Sequence, residues 1–307
     1  MFQHCSRHAR LTIAFLAIYI LWGSTYLAVA LGLESIPPFL LMGLRSLGGG
    51  LVLLAWSGRQ GGVLSGQAWL HAGACGLLLF VGCHGVLAYA QVRVPSGMAA
   101  IMLATIPFWI TLINFVFPTA RRPSTKTLIA LLPGFAGVAF IAWRQATSRE
   151  YPVGAVDILL LLISALSWAM GSLLSRQHAA STSAIALSGM QLTVGGGALL
   201  IASIIAGELQ RFSPREVSVE SAAALAYLIT AGTIVGFVAY VWLLDNISAS
   251  LVATYTFVNP VIAVALGWIV LREHLTAATL FGALLVVGSV IAVWLFEPGS
   301  IPRLKES

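Results

Sequence analysis

Charged side chains are scarce in this sequence. Asp, Glu, Lys and Arg together make up 8% of the 307 residues, and hydrophobic residues make up 59%. A soluble globular protein carries about 25% charged residues. A chain this apolar has too few polar side chains to cover a surface that faces water. The composition therefore excludes an ordinary soluble domain and predicts an integral membrane protein.

Acidic residues are also missing from the interior of the apolar runs. Asp157 and Asp245 lie near the ends of such runs, and no Asp or Glu lies deep within one. Cation pumps and many proton-coupled carriers use a buried carboxylate. We therefore do not expect a metal-ion substrate. His84 is the main candidate for carrying a proton, and uncoupled transport or exchange fits the sequence equally well.

The sequence lacks the motifs of several other protein classes. Its three cysteines are Cys5, Cys75 and Cys83, and the last two lie too far apart along one helix to form a disulfide. We find no metal-ligand spacing, no phosphate-binding loop and no basic cluster interleaved with aromatic residues. We therefore predict no metal, no cofactor, no direct use of ATP and no nucleic-acid partner.

Ten apolar runs are present, each about as long as a membrane-spanning helix requires. Their apolar residues are continuous rather than alternating, which indicates helices and not the strands of a barrel. We predict an all-α membrane protein with ten transmembrane helices. They are predicted at 11–31, 38–57, 68–91, 95–117, 126–143, 155–174, 184–206, 220–243, 248–271 and 277–296.

The first run raises the question of a signal peptide. Arg7 and Arg10 precede it, and Ala28-Val29-Ala30 resembles a cleavage site. The apolar core of a signal peptide has about 7–15 residues, whereas this run is longer, so we expect a retained first helix. With the N-terminus inside, the cytoplasmic segments hold more Lys and Arg than the outer ones. This bias predicts that both termini are cytoplasmic.

The two halves of the chain resemble each other. Each half is predicted to contain five helices, and because five is odd, the second half enters the membrane upside down. Inverted repeats of this kind are typical of secondary transporters; the alternative is duplication that serves stability alone. The matching pairs are Gly43–Gly50 with Gly189–Gly197 (with one inserted residue), Val94–Pro107 with Ile247–Pro260, Gly137–Trp143 with Gly288–Trp294, and Trp22 with Trp168.

Several motifs resemble the EamA family of the drug/metabolite transporter superfamily, especially its bacterial YedA-type members. The resemblance extends from about Leu11 to Phe296. The motifs that carry it are Trp22-Gly-Ser-Thr-Tyr26, Arg45 after Pro37-Pro38, Val94-Pro-Ser-Gly97 before Pro107, Asn259-Pro260, and Arg272-Glu-His-Leu-Thr276 before Gly282 and Gly288.

This resemblance implies a transporter that exports or exchanges small metabolites, such as amino acids, across the inner membrane. It also implies a central cavity between two EamA repeats, with the lipid bilayer as surroundings and a monomer or homodimer as the assembly. We place the cytoplasmic N-terminus at 1–10, the repeats at 11–145 and 155–297, the linker at 146–154 and the cytoplasmic tail at 298–307. One departure is that Arg121-Arg122 stands where the family usually has a glutamate, the counterpart of Glu273.

Arg45 and His84 are charged or ionisable residues that lie within the predicted membrane region and are functional candidates for that reason. Arg45 lies about eight residues into the second helix and His84 about seven residues from the end of the third. Because these helices run in opposite directions, both residues fall at a similar depth, and a shared cavity can contain both. Arg45 is suited to bind a substrate carboxylate, or alternatively backbone carbonyls. His84 is suited to bind substrate or a proton, or to remain neutral on one carbonyl.

Further candidates for substrate binding are aromatic or neutral and polar. An aromatic ring offers an apolar face and a polar edge, although such residues also form interfacial belts or simply pack. The candidates are Trp22, Tyr89, Trp168, Gln191, Tyr240, Tyr255 and Asn259.

Two prolines are predicted to act as hinges. Pro107 and Pro260 remove a backbone hydrogen bond and kink their helices, and the freed carbonyls can face a cavity. The glycine triplets Gly48–Gly50 and Gly195–Gly197 instead favour close helix packing.

Two other function classes remain as alternatives. A membrane-embedded enzyme would need a nucleophile with a base or a ligand cluster, and the apolar run that holds His71 and His84 contains no Asp or Glu. A channel would normally need rings of charge or carbonyls, whereas the inverted repeat favours a carrier.

Overall fold

The computed structural model describes the chain as a bundle of helices. The described residues are 7–59, 65–116, 124–147, 153–179, 183–247, 252–253, 255–273 and 276–296. The helices are α1 (Arg7–Gly32), α2 (Pro38–Arg59), α3 (Gly66–Gln91), α4 (Ser96–Leu103), α5 (Ile106–Val116), α6 (Thr125–Thr147), α7 (Ala155–Ala179), α8 (Ala184–Ile205), α9 (Glu208–Arg211), α10 (Val219–Asn246), α11 (Tyr255–Val270) and α12 (Ala277–Phe296).

Apolar helices of membrane-spanning length confirm the predicted class of fold. Among the described residues, seven helical segments are long and apolar enough to cross a membrane. Three shorter apolar stretches lie in α6, α11 and α12. Arg121-Arg122, residues 148–152 of the linker and the C-terminal tail lie outside the described residues, so the predictions made there stay predictions.

The predicted fourth helix is interrupted in the structure. The helix α4 ends at Leu103 and α5 begins at Ile106, with a turn between them. Pro107 has no N–H with which to bond the carbonyl of Leu103, which explains why the break occurs here. The turn is held by Thr105, whose hydroxyl donates to the carbonyl of Met102 at 2.7 Å. The predicted span over 95–117 is therefore present as one apolar segment, Ser96–Val116, with a break just before Pro107.

The helices α2 and α8 pack against each other in opposite directions. A Cβ on Gly43 would lie 2.6 Å from the side chain of Leu200, and one on Gly50 would lie 2.7 Å from the backbone of Thr193. Residue numbers therefore rise along α2 in the direction in which they fall along α8, so the two helices are antiparallel. Glycine is needed at these positions because the two backbones approach too closely for a side chain.

The contacts also show the register of the repeat in these two helices. Gly196 faces the backbone of Leu47, at 2.4 Å from an added Cβ. Gly50 faces Thr193 in the same way. Gly50 lies 146 positions before Gly196, and Leu47 lies 146 positions before Thr193. The helices therefore match residue for residue, without the insertion inferred from the glycine triplets.

A second antiparallel pair joins α6 and α12. The hydroxyl of Ser124, just before α6, donates to the carbonyl of Phe296 at 3.4 Å. Further along, the hydroxyl of Ser289 donates to the carbonyl of Ala130. Equivalent helices of the two halves thus run in opposite directions, which confirms the inverted repeat.

Helices of each half pack against helices of the other half. The helix α1 packs against α10 and α11 of the second half, and its counterpart α7 packs against α3 and α5 of the first half. The centre of the bundle therefore contains side chains from both repeats.

At one end of the bundle, carboxylates accept hydrogen bonds from backbone N–H groups at helix N-termini. We call this end the Gly32 face, because α1 ends there, and we call the opposite end the Arg7 face. Glu208 accepts from the backbone N–H groups of Phe39 and Leu40, at 3.2 and 2.9 Å, in the first turn of α2. A carboxylate at this position satisfies free N–H groups and interacts favourably with the helix dipole.

Glu273 makes the equivalent contact with α4. Its carboxylate oxygens accept from the N–H groups of Ser96 at 2.7 Å and Gly97 at 3.2 Å. Gly267 makes room for this carboxylate, since an added Cβ there would lie 2.5 Å from it. Arg272 precedes it with a φ of 54°, the left-handed conformation that turns the chain after α11.

An ion pair links α3 and α7 at the same face. The guanidinium of Arg93 contacts the carboxylate of Asp157 at 2.6 Å and lies over the ring of Tyr89, 4.7 Å from its centroid. The hydrogen bond to Asp157 raises the pKa of Arg93 above its usual value, so this residue stays positively charged.

Two π-helical segments lie at equivalent places in the two halves. They cover Leu77–Gly85 within α3 and Leu228–Val235 within α10. A π segment widens the helix and shifts the side chains that follow it, and such segments frequently mark functional sites. The sequence pattern did not predict them.

Candidate functional site

A cavity lies between the two halves, from the middle of the bundle toward the Gly32 face. Its volume is about 40 Å³, which is enough for roughly three water molecules at about 10–15 Å³ each. Both repeats contribute to its walls. The lining residues are Trp22, Thr25, Tyr26, Val29, Arg45, Cys83, His84, Leu87, Gln91, Leu103, Ile106, Trp168, Tyr255 and Asn259.

Arg45 is a buried cation at this cavity. Its side chain is 4% exposed, and its Nε donates to the hydroxyl of Thr233 in the π segment of α10 at 2.8 Å. Its Nη1 has the sulfur of Met42 at 3.8 Å, a weak acceptor. Among the described residues no carboxylate forms an ion pair with Arg45. A guanidinium has five N–H donors, so donors remain for an anion.

Aromatic rings from both halves meet at the inner end of the cavity. Trp22 and Trp168, which are equivalent in the repeat, contact edge to face with ring centroids 5.5 Å apart. Trp22 also lies 4.9 Å from Tyr240 and 5.0 Å from Tyr255. The ring of His84 stacks on Trp168 at 5.1 Å. These rings form a rigid apolar floor beneath the polar groups.

Four buried polar atoms around this cavity have no hydrogen-bond partner in the part of the chain that the structure describes. They are Gln91 Oε1, His84 Nδ1, Trp168 Nε1 and Asn259 Oδ1. Buried polar groups are almost always paired, because an unpaired one costs about 1–3 kcal/mol. A cluster of them at one cavity, together with Arg45, is suited to a polar ligand.

The two tryptophans differ in this respect, although they are equivalent in the repeat. Trp22 Nε1 donates to the carbonyl of Gly232 at 2.9 Å, within the π segment of α10. Trp168 Nε1 has no acceptor in hydrogen-bond geometry among the described residues, although the hydroxyls of Tyr240 and Tyr255 lie close enough to interact with it.

The structure brings most of the predicted site residues together. Arg45, His84, Trp22, Trp168, Tyr255 and Asn259 line the cavity. Tyr240 lies just behind the lining, where its ring contacts Trp22 and its hydroxyl forms a hydrogen bond with Ser172.

Two predicted site residues lie elsewhere. Tyr89 is 43% exposed and stacks on Phe39 at 5.9 Å, beneath Arg93. Gln191 is fully buried on the other side of the aromatic cluster, where its Nε2 donates to the hydroxyl of Ser175 at 2.9 Å.

The predicted hinge prolines flank the cavity. Pro107 frees the carbonyl of Leu103, and Leu103 is a lining residue. Pro260 follows Asn259 and lies within α11, so the carbonyl of Thr256 lacks the usual bond from residue 260. The interruption of regular helix next to the cavity is the pattern expected where a transporter binds its substrate.

Sequence reasoning missed several residues of the site. Gln91 is the last residue of α3, and its polar type near the end of an apolar run is the only signal for it. Thr233 is found only through the fold, because the π segment of α10 turns its hydroxyl toward Arg45. Tyr26 and Cys83 also line the cavity.

Known protein families identify the class of this bundle. The profile of the EamA-like transporter family matches residues 10–143 and 156–295, which is most of the chain and corresponds to one match for each half. The chain belongs to the EamA-like transporter family. It is therefore a membrane transporter of the drug/metabolite type and not an enzyme, as the sequence predicted.

Individual relatives of this EamA protein agree with that assignment. The uncharacterized inner membrane transporter YedA of Escherichia coli K12 is 36% identical over 256 residues, which cover 83% of this chain and 80% of YedA. The uncharacterized transporter YoaV of Bacillus subtilis is 26% identical over 90% of this chain and 94% of its own. A probable amino-acid metabolite efflux pump of Salmonella typhimurium is 24% identical, covering 90% of this chain and 91% of the pump.

A solved crystal structure shares the fold of this EamA protein. It superimposes with a TM-score of 0.68 at 21% sequence identity, covering 95% of this chain and 99% of the other. At this identity the likeness concerns the fold alone.

Proposed function

We propose that this EamA protein carries small carboxylates, such as amino acids and related metabolites, across the inner membrane by alternating access. The observation that supports this most directly is Arg45, a buried cation that pairs with no carboxylate of the described residues, at a cavity between two inverted repeats. A buried charge is costly unless it is paired, and a substrate carboxylate supplies that pair.

The cavity offers further groups for the rest of such a substrate. The unpaired oxygens of Gln91 and Asn259 are suited to accept from a substrate ammonium or hydroxyl, and Trp168 Nε1 is suited to donate. The aromatic floor offers ring faces to an apolar side chain or a cationic group. His84 lies beside Arg45 in the lining and serves as an additional polar contact.

The size of the cavity favours a mechanism with moving parts. Its volume of about 40 Å³ is far below the roughly 300 Å³ at which pockets for small ligands begin. Substrate binding therefore requires the two halves to separate at the Gly32 face. We propose that the helices bend at Pro107 and Pro260 as the halves rock, which exposes the substrate first at one face and then at the other.

The name of one relative supports this substrate class. The Salmonella protein is called a probable amino-acid metabolite efflux pump. We extend this to export or exchange here, with both termini in the cytoplasm, the repeats at 11–145 and 155–297, and a monomer or homodimer as the working unit.

Counterflow in proteoliposomes tests the proposal. Radiolabelled amino acids and other small carboxylates are offered outside, with or without the same unlabelled solute inside. We expect saturable uptake that is stimulated from the far side. Uptake without trans-stimulation would indicate a channel, and chemical conversion of the solute would indicate an enzyme.

A matched pair of variants tests the assignment of the site. Arg45→Gln is expected to lose carboxylate uptake, whereas Arg59→Gln, which removes an exposed arginine at the end of the same helix, is expected to keep it. Wild-type uptake by a correctly folded Arg45→Gln variant would contradict the proposal that Arg45 binds the substrate carboxylate.

A further inference from the structure

The lining residues of the cavity lie between the middle of the bundle and the Gly32 face, although the bundle has two equivalent halves. The repeat register therefore identifies a corresponding place near the Arg7 face. In α1, α2, α7 and α8 equivalent residues differ by 146 positions. Arg45 corresponds to Gln191, the lining residue Val29 corresponds to Ser175, and Tyr26 corresponds to Ser172.

These equivalent residues lie together and are packed shut. Gln191 Nε2 donates to Ser175 Oγ at 2.9 Å, and the hydroxyl of Ser172 forms a hydrogen bond with that of Tyr240. Gln191 and Ser175 have no measurable exposure, and Ser172 is 1% exposed. The amide oxygen of Gln191 is buried and has no hydrogen-bond partner among the residues that the structure describes. The place that corresponds to the cavity is therefore polar, closed and incompletely satisfied.

We propose that Gln191, Ser175 and Ser172 form a second half-site, which opens toward the Arg7 face and binds the same substrate through neutral groups alone. This inference rests on the proposed alternating access. When the halves rock, the Gln191–Ser175 bond breaks as the Arg45 cavity closes, because the inverted repeat exchanges the roles of the two halves.

The two half-sites differ in charge, and this difference sets their chemistry. Arg45 offers a full positive charge and a planar fork to a carboxylate, whereas Gln191 offers an amide. An anion therefore binds more tightly in the conformation with the Arg45 cavity open, and it shifts the population toward that conformation. At the Arg7 face the same anion is bound more weakly. The asymmetry affects apparent affinity and leaves the equilibrium distribution of substrate unchanged.

Accessibility of single cysteines tests the second half-site without knowledge of the substrate. In a background without the native cysteines, Val29→Cys and Ser175→Cys are exposed to a membrane-impermeant methanethiosulfonate reagent from one side of the membrane or the other. We expect Val29→Cys to react from one side and Ser175→Cys from the opposite side. Because the reaction is irreversible, product accumulates even from a minor conformation.

The charge of the reagent tests the chemical difference. Anionic sulfonatoethyl and cationic trimethylammonioethyl methanethiosulfonate are compared at each cysteine. Near Arg45 the ratio of anionic to cationic rates is expected to exceed the ratio near Gln191 by about tenfold or more, because a charge at short range in a protein interior acts strongly. Introducing Gln191→Arg beside Ser175→Cys is expected to raise the ratio there, and Arg45→Gln beside Val29→Cys is expected to lower it.

The outcomes separate this inference from the proposed carrier function. If Ser175→Cys reacts from the same side as Val29→Cys, or from neither side, the second half-site does not exist, while counterflow of carboxylates still decides whether the protein is a carrier. If it reacts from the opposite side and its ratio of anionic to cationic rates equals that at Val29→Cys, the two half-sites do not differ in charge, which overturns the proposed asymmetry. Reaction from the opposite side with a ratio about tenfold lower than at Val29→Cys supports both parts.

Discussion

At the scale of single residues, the proposed carboxylate site depends most on Arg45. A guanidinium buried without a carboxylate costs several kcal/mol, and the surrounding side chains recover little of it, since Thr233 and Met42 offer one hydroxyl and one sulfur. Such a residue makes the empty protein less stable, and it is useful only when something negative binds. Stability and function should therefore respond in opposite directions when it is replaced.

We predict that Arg45→Gln lowers transport while its stability stays the same or rises. Carboxylate counterflow should fall at least tenfold, because one charge-assisted hydrogen bond to a ligand contributes roughly 1.5–3 kcal/mol. The apparent melting temperature of the purified protein should stay the same or rise. Arg45→Lys keeps the charge but lacks the planar guanidinium that donates two parallel hydrogen bonds to a carboxylate, so its activity should be intermediate. A lower melting temperature with unchanged counterflow would show that Arg45 is structural.

A second prediction concerns Asn259. Its Oδ1 is buried, unpaired and part of the cavity lining. Asn259→Leu, which is similar in size and apolar, should remove an acceptor without opening a void. We expect apparent affinity for the transported carboxylate to fall about fivefold to tenfold, with little loss of stability. Asn246→Leu, at the end of α10 and outside the cavity, serves as the control.

At the scale of helices, close approach between α2 and α8 holds the two halves together. Glycines on each helix face backbone atoms on the other, so the contact depends on the absence of side chains. In a membrane, where lipid is as apolar as the helices, such van der Waals packing provides much of the association. The antiparallel arrangement lets the same set of glycines serve both halves.

Two adjacent glycines provide a matched test of this interface. A Cβ on Gly196 would lie 2.4 Å from the backbone of Leu47, whereas one on Gly197 would meet nothing within 4 Å. Gly196→Ala should destabilise the protein by about 1–3 kcal/mol through overpacking. Gly197→Ala should be neutral or slightly stabilising, since alanine favours the helix. Thermal unfolding in detergent measures both, and equal melting temperatures would contradict the interface.

The carboxylate of Glu273 offers another test at this scale. It accepts from two N–H groups at the start of α4, so Glu273→Gln loses the charge and one acceptor oxygen. We expect a loss of about 1–2 kcal/mol in stability. Glu216→Gln, on an exposed turn, should change the melting temperature little. Equal unfolding temperatures of Glu273→Gln and Glu216→Gln would contradict the stabilising role of the Glu273 carboxylate.

At the scale of the whole molecule, the proposed alternating access requires the halves to move relative to each other. The break between α4 and α5 and the proline within α11 interrupt regular backbone next to the cavity. These places absorb a change in backbone angle at lower cost than an unbroken helix. The π segments of α3 and α10 lie at the same level of the bundle and provide a second pair of irregular elements.

Pro107→Ala should slow this motion. Alanine restores the N–H that can bond the carbonyl of Leu103, so α4 and α5 can join into one stiffer helix. We expect at least a fivefold lower exchange rate with an equal or higher melting temperature. Pro214→Ala, in a short exposed 3-10 turn, is the control for loss of a proline. Unchanged exchange by Pro107→Ala would exclude this break as a hinge.

The sequence by itself determined the class of the protein. The scarcity of charge and the ten continuous apolar runs predicted a helical membrane protein, because such runs are stable only in lipid or in a buried core. The pairing of Trp22 with Trp168 and of Pro107 with Pro260 predicted the inverted repeat. Arg45 and His84 stood out because polar side chains are costly at that depth.

Only the tertiary structure decided which of these residues meet. Tyr89 and Tyr240 are both tyrosines in apolar runs, yet Tyr89 faces outward beside Phe39 while Tyr240 packs at the centre. The face of a helix that turns inward depends on its neighbours, and here the neighbours come from the other half of the chain. Thr233 reaches Arg45 across 188 positions because a π segment shifts its helix, and such long-range contacts leave no pattern in the local sequence.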